Sequence, residues 1–340
     1  MNKPWVSVII PTYNRARKVL KAIESVLSQT YPNIQLIVVD DGSDDDTKEQ
    51  LEKLAGFQYV LQPHAGQAFA RNTGLRYAKG ELIASLDSDD YWSADFVEKC
   101  VHAMEQYKLD FVFANWYQAH KSGEWRDFLS YDPYILPFVK NPGETWHILN
   151  DKDLRALYLK ACPSPSSSLI MRKSSMVSKW NQRLHIGDDW CLYLDMILNK
   201  PCKAAFTLEM LWHKDIDGQN IYDGREWSEV VRLLLVEDTL EVMNGYRHLL
   251  TKRELSILEN RYINGLVELA KHKVLRERDV TTAASLMRQS FSVDLFVTLA
   301  AVPKIIFSGL RNHLELFARK MKQQCTENRL TYLWKRHITG

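Results

Sequence analysis

Leu86-Asp87-Ser88-Asp89-Asp90 and, upstream, Val39-Asp40-Asp41-Gly42-Ser43 decide how this chain is read. Each closes a short apolar run with carboxylates. Ile34-Gln35-Leu36-Ile37-Val38-Val39 leads into Asp40 and Asp41, and Leu82-Ile83-Ala84-Ser85-Leu86 leads into Asp87 and Asp89. Near-continuous apolar runs of this length suit strands buried on both faces, as in a parallel sheet. In open α/β sheets, ligands sit beyond the carboxyl ends of the strands. Two adjacent strand ends would gather several carboxylates in one crevice, where like charges raise each other's pKa. A hard divalent cation, Mn2+ or Mg2+, would relieve that cost. The alternative is that Asp and Gly here serve only as turn formers after strands.

Working outward, Trp5–Ile10 reads as a first strand and Pro11-Thr12-Tyr13-Asn14 as a turn, with Asn14 as a helix N-cap. Val19, Leu20, Ile23, Val26 and Leu27 repeat at helical spacing, which predicts a helix over 15–29. A second strand over 34–40, a helix from Ser43 or Asp44 to about Leu54, a third strand over 57–61, a helix over 66–78 and a fourth strand over 81–87 follow. Such alternation with short links predicts a parallel α/β sheet. A helix over 91–107 and a strand over 111–114 come next. Trp116, Tyr117, Trp125, Tyr131, Tyr134 and Trp146 then crowd a polar region, either as faces for sugar rings or as ordinary packing.

VSVIIPTYNR, VVDDGSDDDT, GQAFARNTGL and LDSDD, in this order, resemble the inverting family 2 glycosyltransferases of GT-A fold. The resemblance is strong over residues 5–100 and weaker to about 222. It implies an α/β catalytic domain over 1–225, with a nucleotide-binding half (1–110) and an acceptor-binding half (111–225). A helical C-terminal region over 226–340 completes the expected fold. No GxGxxG follows the first strand, so carboxylate-held metal is the remaining means of neutralising a nucleotide's phosphates.

By the same resemblance, Pro11, Thr12 and Tyr13 line the base pocket, Asp41 accepts from a uracil ring, and Asp40 buttresses the loop. Asp87 lies near ribose or metal, Asp89 ligates the metal, and Asp90 either joins them or caps the next helix. Arg71 reaches the carboxylate cluster or the nucleotide, where otherwise a mid-helix Arg faces solvent. Ser166–Arg172 looks like the strand before the family's catalytic loop, and His185-Ile186-Gly187-Asp188-Asp189-Trp190 like the loop itself. Asp189 matches the family's general base. Asp188 replaces the usual Glu, which leaves its role open. Without the resemblance, both are acids favoured at a helix N-terminus. His213, after Met210-Leu211-Trp212, matches a metal or diphosphate contact, or is structural.

From Trp227 onward the spacing is helical throughout. Residues 300–340 carry a local net charge of +6, with Ile305, Ile306, Leu310, Leu314 and Phe317 beside the cations. That pattern predicts a membrane-surface helix. The alternative is a helix packed on the catalytic domain or on a second subunit of a homo-oligomer.

The 340 residues are 46% hydrophobic and 25% charged with a net charge of +2, which excludes whole-molecule attraction to nucleic acid. The five cysteines form no CxxC pair, so neither a zinc site nor a disulfide framework is indicated. A cytoplasmic protein, peripheral at the inner face of the membrane, is expected. The implied activity is a metal-dependent hexosyl- or N-acetylhexosaminyl transfer from a UDP-sugar to a hydroxyl of a glycan or lipid-linked acceptor. Capsule or O-antigen assembly is the expected setting. The rivals are a sugar-nucleotide nucleotidyltransferase and a non-catalytic glycan-binding protein on the same fold.

Overall fold

In a computed structural model, residues 3–119, 125–141, 143–214 and 225–303 are described. The first three strands are β1 (Val6–Thr12), β2 (Ile34–Asp40) and β3 (Gln58–Leu61), and β4 spans Leu82–Ser85. All pair in parallel in the order β3-β2-β1-β4. Every residue of β1 and β4 is buried, as their unbroken apolar runs require. Helices α1 (Lys18–Leu27), α2 (Thr47–Leu51) and α3 (Gln67–Tyr77) supply the crossovers. Thr12 is opposite Asp40, and the Leu86 amide donates to Ile9 O at 3.0 Å. The turn after β1 therefore lies between the two acidic strand ends.

The sheet continues through β9 (Leu169–Arg172), β6 (Phe111–Ala119), β10 (Ala204–Lys214) and β5 (Asp90–Trp92). β6 and β10 are parallel, while β9 and β5 run antiparallel to their neighbours. Two short strands, β7 (Trp125–Asp127) and β8 (His147–Leu149), join β6 and β10. The remaining helices of this part are α4 (Phe96–Tyr107), α5 (Asp151–Tyr158) and α6 (Asp188–Asn199).

Gly74 sets how α3 sits on the sheet. A Cβ there would lie 2.4 Å from Ile9 Cγ2, so only glycine lets the helix approach β1 so closely. Arg71, one turn earlier on the same helix, is thereby carried to the strand ends.

Two local expectations are corrected. Asn14 is not an N-cap: α1 begins at Lys18, and Asn14 holds φ 52, a left-handed conformation that Asn tolerates. Ser43 Oγ accepts its N–H at 2.9 Å, and its own Oδ1 accepts from Asp44 N at 2.9 Å, which ties the two strand-end loops together. Nor does a helix start at Tyr91. Asp90–Trp92 pairs with β10, with Trp92 opposite Trp212, and the buried indole of Trp92 donates to Ser167 O at 2.7 Å. Asp90 is consequently a buried strand residue and no helix cap.

Beyond residue 225 the described chain is helical: α7 (Trp227–Val230) running into a π-helical stretch to Glu237, then α8 (Asp238–Tyr246), α9 (Lys252–His272) and α10 (Val280–Val293). Two compact units result. One holds Met1–Glu226 and Glu237–Leu258; the other holds Trp227–Val236 and the described residues from Glu259 on. The second has its own small core of Ile263, Val267 and Ala301, with Met287, Val297 and Val302 against it. No helix of the described residues is long and apolar enough to cross a membrane. The basic stretch from Lys304 lies outside the described residues.

Candidate active site

The β2 end is closed on itself. Asp40 accepts from Ser43 N at 2.9 Å and from Tyr59 Oη at 2.7 Å, and is fully buried. Burial, then Asp40, raise the Tyr59 phenol above its ordinary range. Asp41 accepts four donors from the next loop: Gln62 Nε2 at 2.6 Å, Ala65 N at 3.0 Å, Gly66 N at 2.7 Å and His64 Nδ1 at 2.9 Å. Gly42 makes this turn, with φ 78 and no room for a Cβ, which would lie 2.8 Å from His64 N. His64 is held against Tyr13 with ring centroids 4.1 Å apart and 25° between planes. Both rings keep an exposed face.

The β4 end is different. Asp87, Asp89 and Asp90 each offer a carboxylate oxygen within 4.8 Å of the others. Ser167 braces two of them: its Oγ accepts from Asp87 N at 3.1 Å and donates to Asp90 Oδ2 at 2.6 Å. Asp90 Oδ1 is buried without a hydrogen-bond partner. Burial lifts the Asp90 carboxyl well above its usual range; Lys214, across the sheet on β10, opposes this, and Asp89 and Asp87 reinforce it. Asp89 Oδ2 is held by Arg15 Nη1, from the turn after β1. An all-oxygen cluster with an unsatisfied buried oxygen fits a hard divalent cation.

Arg71 joins this cluster to α6. It is 2% exposed, and its Nη2 donates to Asp87 Oδ1 at 2.7 Å, its Nη1 to Asp188 Oδ2 at 2.6 Å, and its Nε to Ser85 Oγ at 3.3 Å. Asp189 Oδ1 is 3.5 Å from the same Nη1. Burial works against the guanidinium's charge, but Asp188, Asp189 and Asp87 together outweigh it and raise its pKa. Burial also favours the neutral form of Asp87, yet Arg71, then Lys214, hold that carboxyl below its ordinary range. Three carboxylates sharing one guanidinium leave one short of charge. That one is Asp188, which burial, resisted by Arg71 and reinforced by Asp189 and Asp87, pushes up to about 7. Such a titration belongs to the group as a whole.

The two acids that open α6 face different surroundings. Asp188 is 1% exposed and bound on its other oxygen by Gln67 Nε2 at 2.9 Å. Asp189 is 19% exposed, with Oδ2 accepting Ser166 N at 2.9 Å and Oδ1 accepting Ser166 Oγ. The loop ahead of them is fixed from below. Asp238, 1% exposed, accepts the backbone N–H groups of His185, Ile186 and Gly187 at 2.9, 2.9 and 2.8 Å. Three amides on one buried carboxylate make a charge-assisted clamp.

The profile described as glycosyl transferase family 2 matches residues 7–178. The chain belongs to glycosyltransferase family 2. A relative from Escherichia coli, "UDP-Glc:alpha-D-GlcNAc-diphosphoundecaprenol beta-1,3-glucosyltransferase WfaP", is 42% identical over 59% of this chain and 73% of its own. "Glycosyltransferase GlyA" of Streptococcus pneumoniae is 35% identical over 87% of this chain, which spans 44% of that longer protein. Solved structures share the GT-A fold. Residues 1–349 of S. aureus TarS in complex with UDP-GlcNAc give a TM-score of 0.57 at 18% identity, covering 89% of this chain and 92% of that one. A Pyrobaculum calidifontis mannosyltransferase in complex with GDP-Man and Mn2+ gives 0.54 at 19% identity, covering 89% and 81%.

Within this family 2 chain, the geometry brings Arg71, Asp87, Asp188 and Asp189 together, with Asp89 and Asp90 in the adjoining cluster. Pro11 and Thr12, expected in a turn, instead end β1, and Tyr13 opens the turn between the acidic ends. Asp41 is 3% exposed and its acceptor positions are taken by residues 62–66, so Asp40 and Asp41 both brace loops. His213 is outside the acidic cluster; it is stacked between Tyr91 at 4.4 Å and Tyr117 at 5.1 Å. Burial, then Lys21, lower its pKa, which keeps the ring neutral. Of the aromatics, Trp116 is core, packed on Trp212 and Phe128, whereas Tyr131 and Tyr134 are exposed. Sequence reasoning missed Arg15, His64, Gln67, Ser166, Ser167 and Asp238. Arg15 and Gln67, inside VSVIIPTYNR and GQAFARNTGL, and Ser166 and Ser167, opening the Ser166–Arg172 stretch, carried a local signal; His64 and Asp238 carried none.

Proposed function

We propose that the protein transfers one hexose or N-acetylhexosamine, with inversion, from a UDP-sugar to a hydroxyl of a lipid-linked glycan in surface-polysaccharide assembly. The observation that carries the reading is Arg71: a single buried guanidinium ties Asp87, on the donor side, to Asp189, at the start of α6. A displacement with inversion needs a base on one side of the sugar and a neutralised leaving group on the other. Of the two acids that open α6, Asp189 is the one that remains reachable, and it is the proposed base. Ser166 and Arg71 fix its orientation, and the acceptor hydroxyl would give its proton to an Asp189 oxygen. Asp188, buried and held by Gln67 and Arg71, positions Arg71 and does not meet the acceptor.

Asp87, Asp89 and Asp90 are the residues that would hold a divalent cation, Mn2+ or Mg2+, which when bound would offset charge on the departing diphosphate as a Lewis acid. Pro11, Thr12, Tyr13 and the stacked His64 offer a ring face to the base. Asp41 contributes by holding the 62–66 loop that carries His64. His213 is proposed to border the metal site from its aromatic stack. The UDP donor and a diphospholipid acceptor are supported by the name of the Escherichia coli relative, and UDP by the TarS complexes. A lipid-linked acceptor also favours a cytoplasmic protein resting on the membrane face through its basic C-terminal stretch.

A screen of UDP- and GDP-sugars with Mn2+ and a diphospholipid-linked sugar tests this, read by the nucleotide released. UDP release with a lengthened acceptor is the expected outcome; pyrophosphate release would instead identify a nucleotidyltransferase. Asp189→Asn should keep UDP affinity and lose about a thousandfold in turnover, the scale of a missing general base. Parent-like turnover of that variant would remove Asp189 from the role.

A further inference from the structure

The corner between α10 and the helical stretch 295–303 is firmly built, yet it turns apolar side chains outward. Inside the corner, Thr298 Oγ1 donates to Asp294 O at 2.7 Å, which leaves Ser290 Oγ to donate to Thr298 Oγ1 at 2.8 Å. Ser290 and Thr298 are both fully buried. Asp294 caps the second stretch, its Oδ1 accepting from Val297 N at 2.8 Å. Val297 and Ala301 pack with Ile263 and Val267 of α9. Outside, Phe296 is 80% exposed, Leu299 55% and Leu295 50%, and Phe291 and Val293, at the end of α10, are exposed as well.

A concentration of exposed large apolar side chains over residues 291–299 marks an interaction surface. The charge of the neighbouring sequence says what it meets. Lys304 follows directly, and residues 300–340 carry a local net charge of +6. The corner's own carboxylate, Asp294, is engaged by a backbone amide. Apolar side chains next to a run of cations suit the boundary of an anionic bilayer, where rings and aliphatic groups enter beneath the headgroups and cations meet the lipid charges. A second copy of the chain would instead set one +6 stretch beside another, which like charge opposes. No helix of the described residues is long and apolar enough to cross a membrane, so the contact is with the bilayer's surface layer.

We propose that the 291–299 corner is a docking site for an anionic phospholipid surface, with Phe296 and Leu299 entering the headgroup boundary and the basic sequence that follows meeting the lipid charges. Docking there holds the chain on the surface in which a lipid-linked acceptor is embedded. It needs no sugar nucleotide, so its failure leaves the transfer reading untouched, and the reverse holds too.

Sedimentation of the full chain with vesicles of phosphatidylglycerol and phosphatidylcholine in equal parts tests it. The parent should bind these about tenfold or more tightly than vesicles of phosphatidylcholine alone. Phe296→Gln combined with Leu299→Gln should weaken binding to the mixed vesicles about a hundredfold, roughly tenfold for each apolar side chain withheld from the bilayer. Its melting temperature should stay at the parent's, because both side chains are exposed. Phe296→Trp should bind as the parent does and add fluorescence that lipid brominated on its acyl chains quenches. Parent-like vesicle binding by the double variant, or an added indole that brominated lipid leaves unquenched, would overturn the docking site and leave the basic stretch as the contact. A parent that ignores anionic vesicles overturns it as well. If that parent also forms a dimer in sedimentation equilibrium, and the double variant does not, the corner belongs to a second copy.

Discussion

The ends of β2 and β4 look alike in sequence, an apolar run closed by carboxylates, yet the fold uses them in opposite ways. At the β2 end every acceptor position of Asp41 is filled by the protein's own donors, and Asp40 is sealed by Ser43 and Tyr59. At the β4 end Asp90 keeps a buried oxygen unsatisfied, and Asp89 is matched by a side chain from a turn. The difference lies in the segments packed against each strand end. A loop rich in free backbone amides, residues 62–66, folds onto Asp41, whereas the β4 end meets Ser167 and two other carboxylates. Saturated acids are architecture; an unsaturated cluster is available to a ligand.

Exchange of oxygen for nitrogen at the two ends should break this contrast in different observables. Asp41→Asn sets an NH2 group against the amide of residue 65 or of residue 66, and should cost about 3 kcal/mol of stability, with Mn2+ affinity little changed. Urea unfolding and Mn2+ titration of the same sample read both quantities. Asp89→Asn should do the reverse: about a hundredfold weaker metal-supported UDP binding, or roughly 2.7 kcal/mol, with stability within about 1 kcal/mol of the parent. A stability loss at Asp89 matching that at Asp41 would erase the distinction.

Asp238→Asn sharpens it by testing a third, saturated acid, under the loop that leads to Asp189. It should cost about 2 kcal/mol of stability, and lower kcat about tenfold with little effect on UDP affinity, because the loop bearing Asp189 loosens. A pH-dependent effect is expected at Asp188. Its carboxyl is lifted from 3.8 to about 7 in the folded protein, so the folded state keeps a proton that the unfolded chain has lost. This group's contribution to stability should therefore fall as pH rises from about 4 to about 7 and level off above. Asp188→Asn should remove that slope from the difference between variant and parent, seen in melting temperatures across this range.

The four parallel strands and their helices were legible because buried strands and amphipathic helices announce themselves by local period. The acids at the strand ends were legible too, since topology alone brings adjacent ends together. The partners that fill them were not. Arg71 meets Asp188 from 117 residues away, and Asp90 meets Ser167 from 77. No spacing rule marks a serine or a distant arginine as the partner of an acid. Asp90 was open to misreading as a cap because a carboxylate ahead of a helix is the usual signal for one. Only the pairing of Trp92 with Trp212 turns that stretch into a strand. Asp238 was hidden among helical repeats that read as an appendage.

That last residue has a practical bearing on where the catalytic machinery can be cut. Asp238, and with it Glu254, which pairs with Arg155 at 2.7 Å, belongs to the stretch 237–258 that returns to the first unit. An excised fragment stopping at residue 225 would retain Asp87, Asp89, Asp90, Asp188 and Asp189 but lose the splint under the proposed base. Any trimming, grafting or tail exchange in this enzyme should treat the short helix bearing Asp238 as catalytic scaffold.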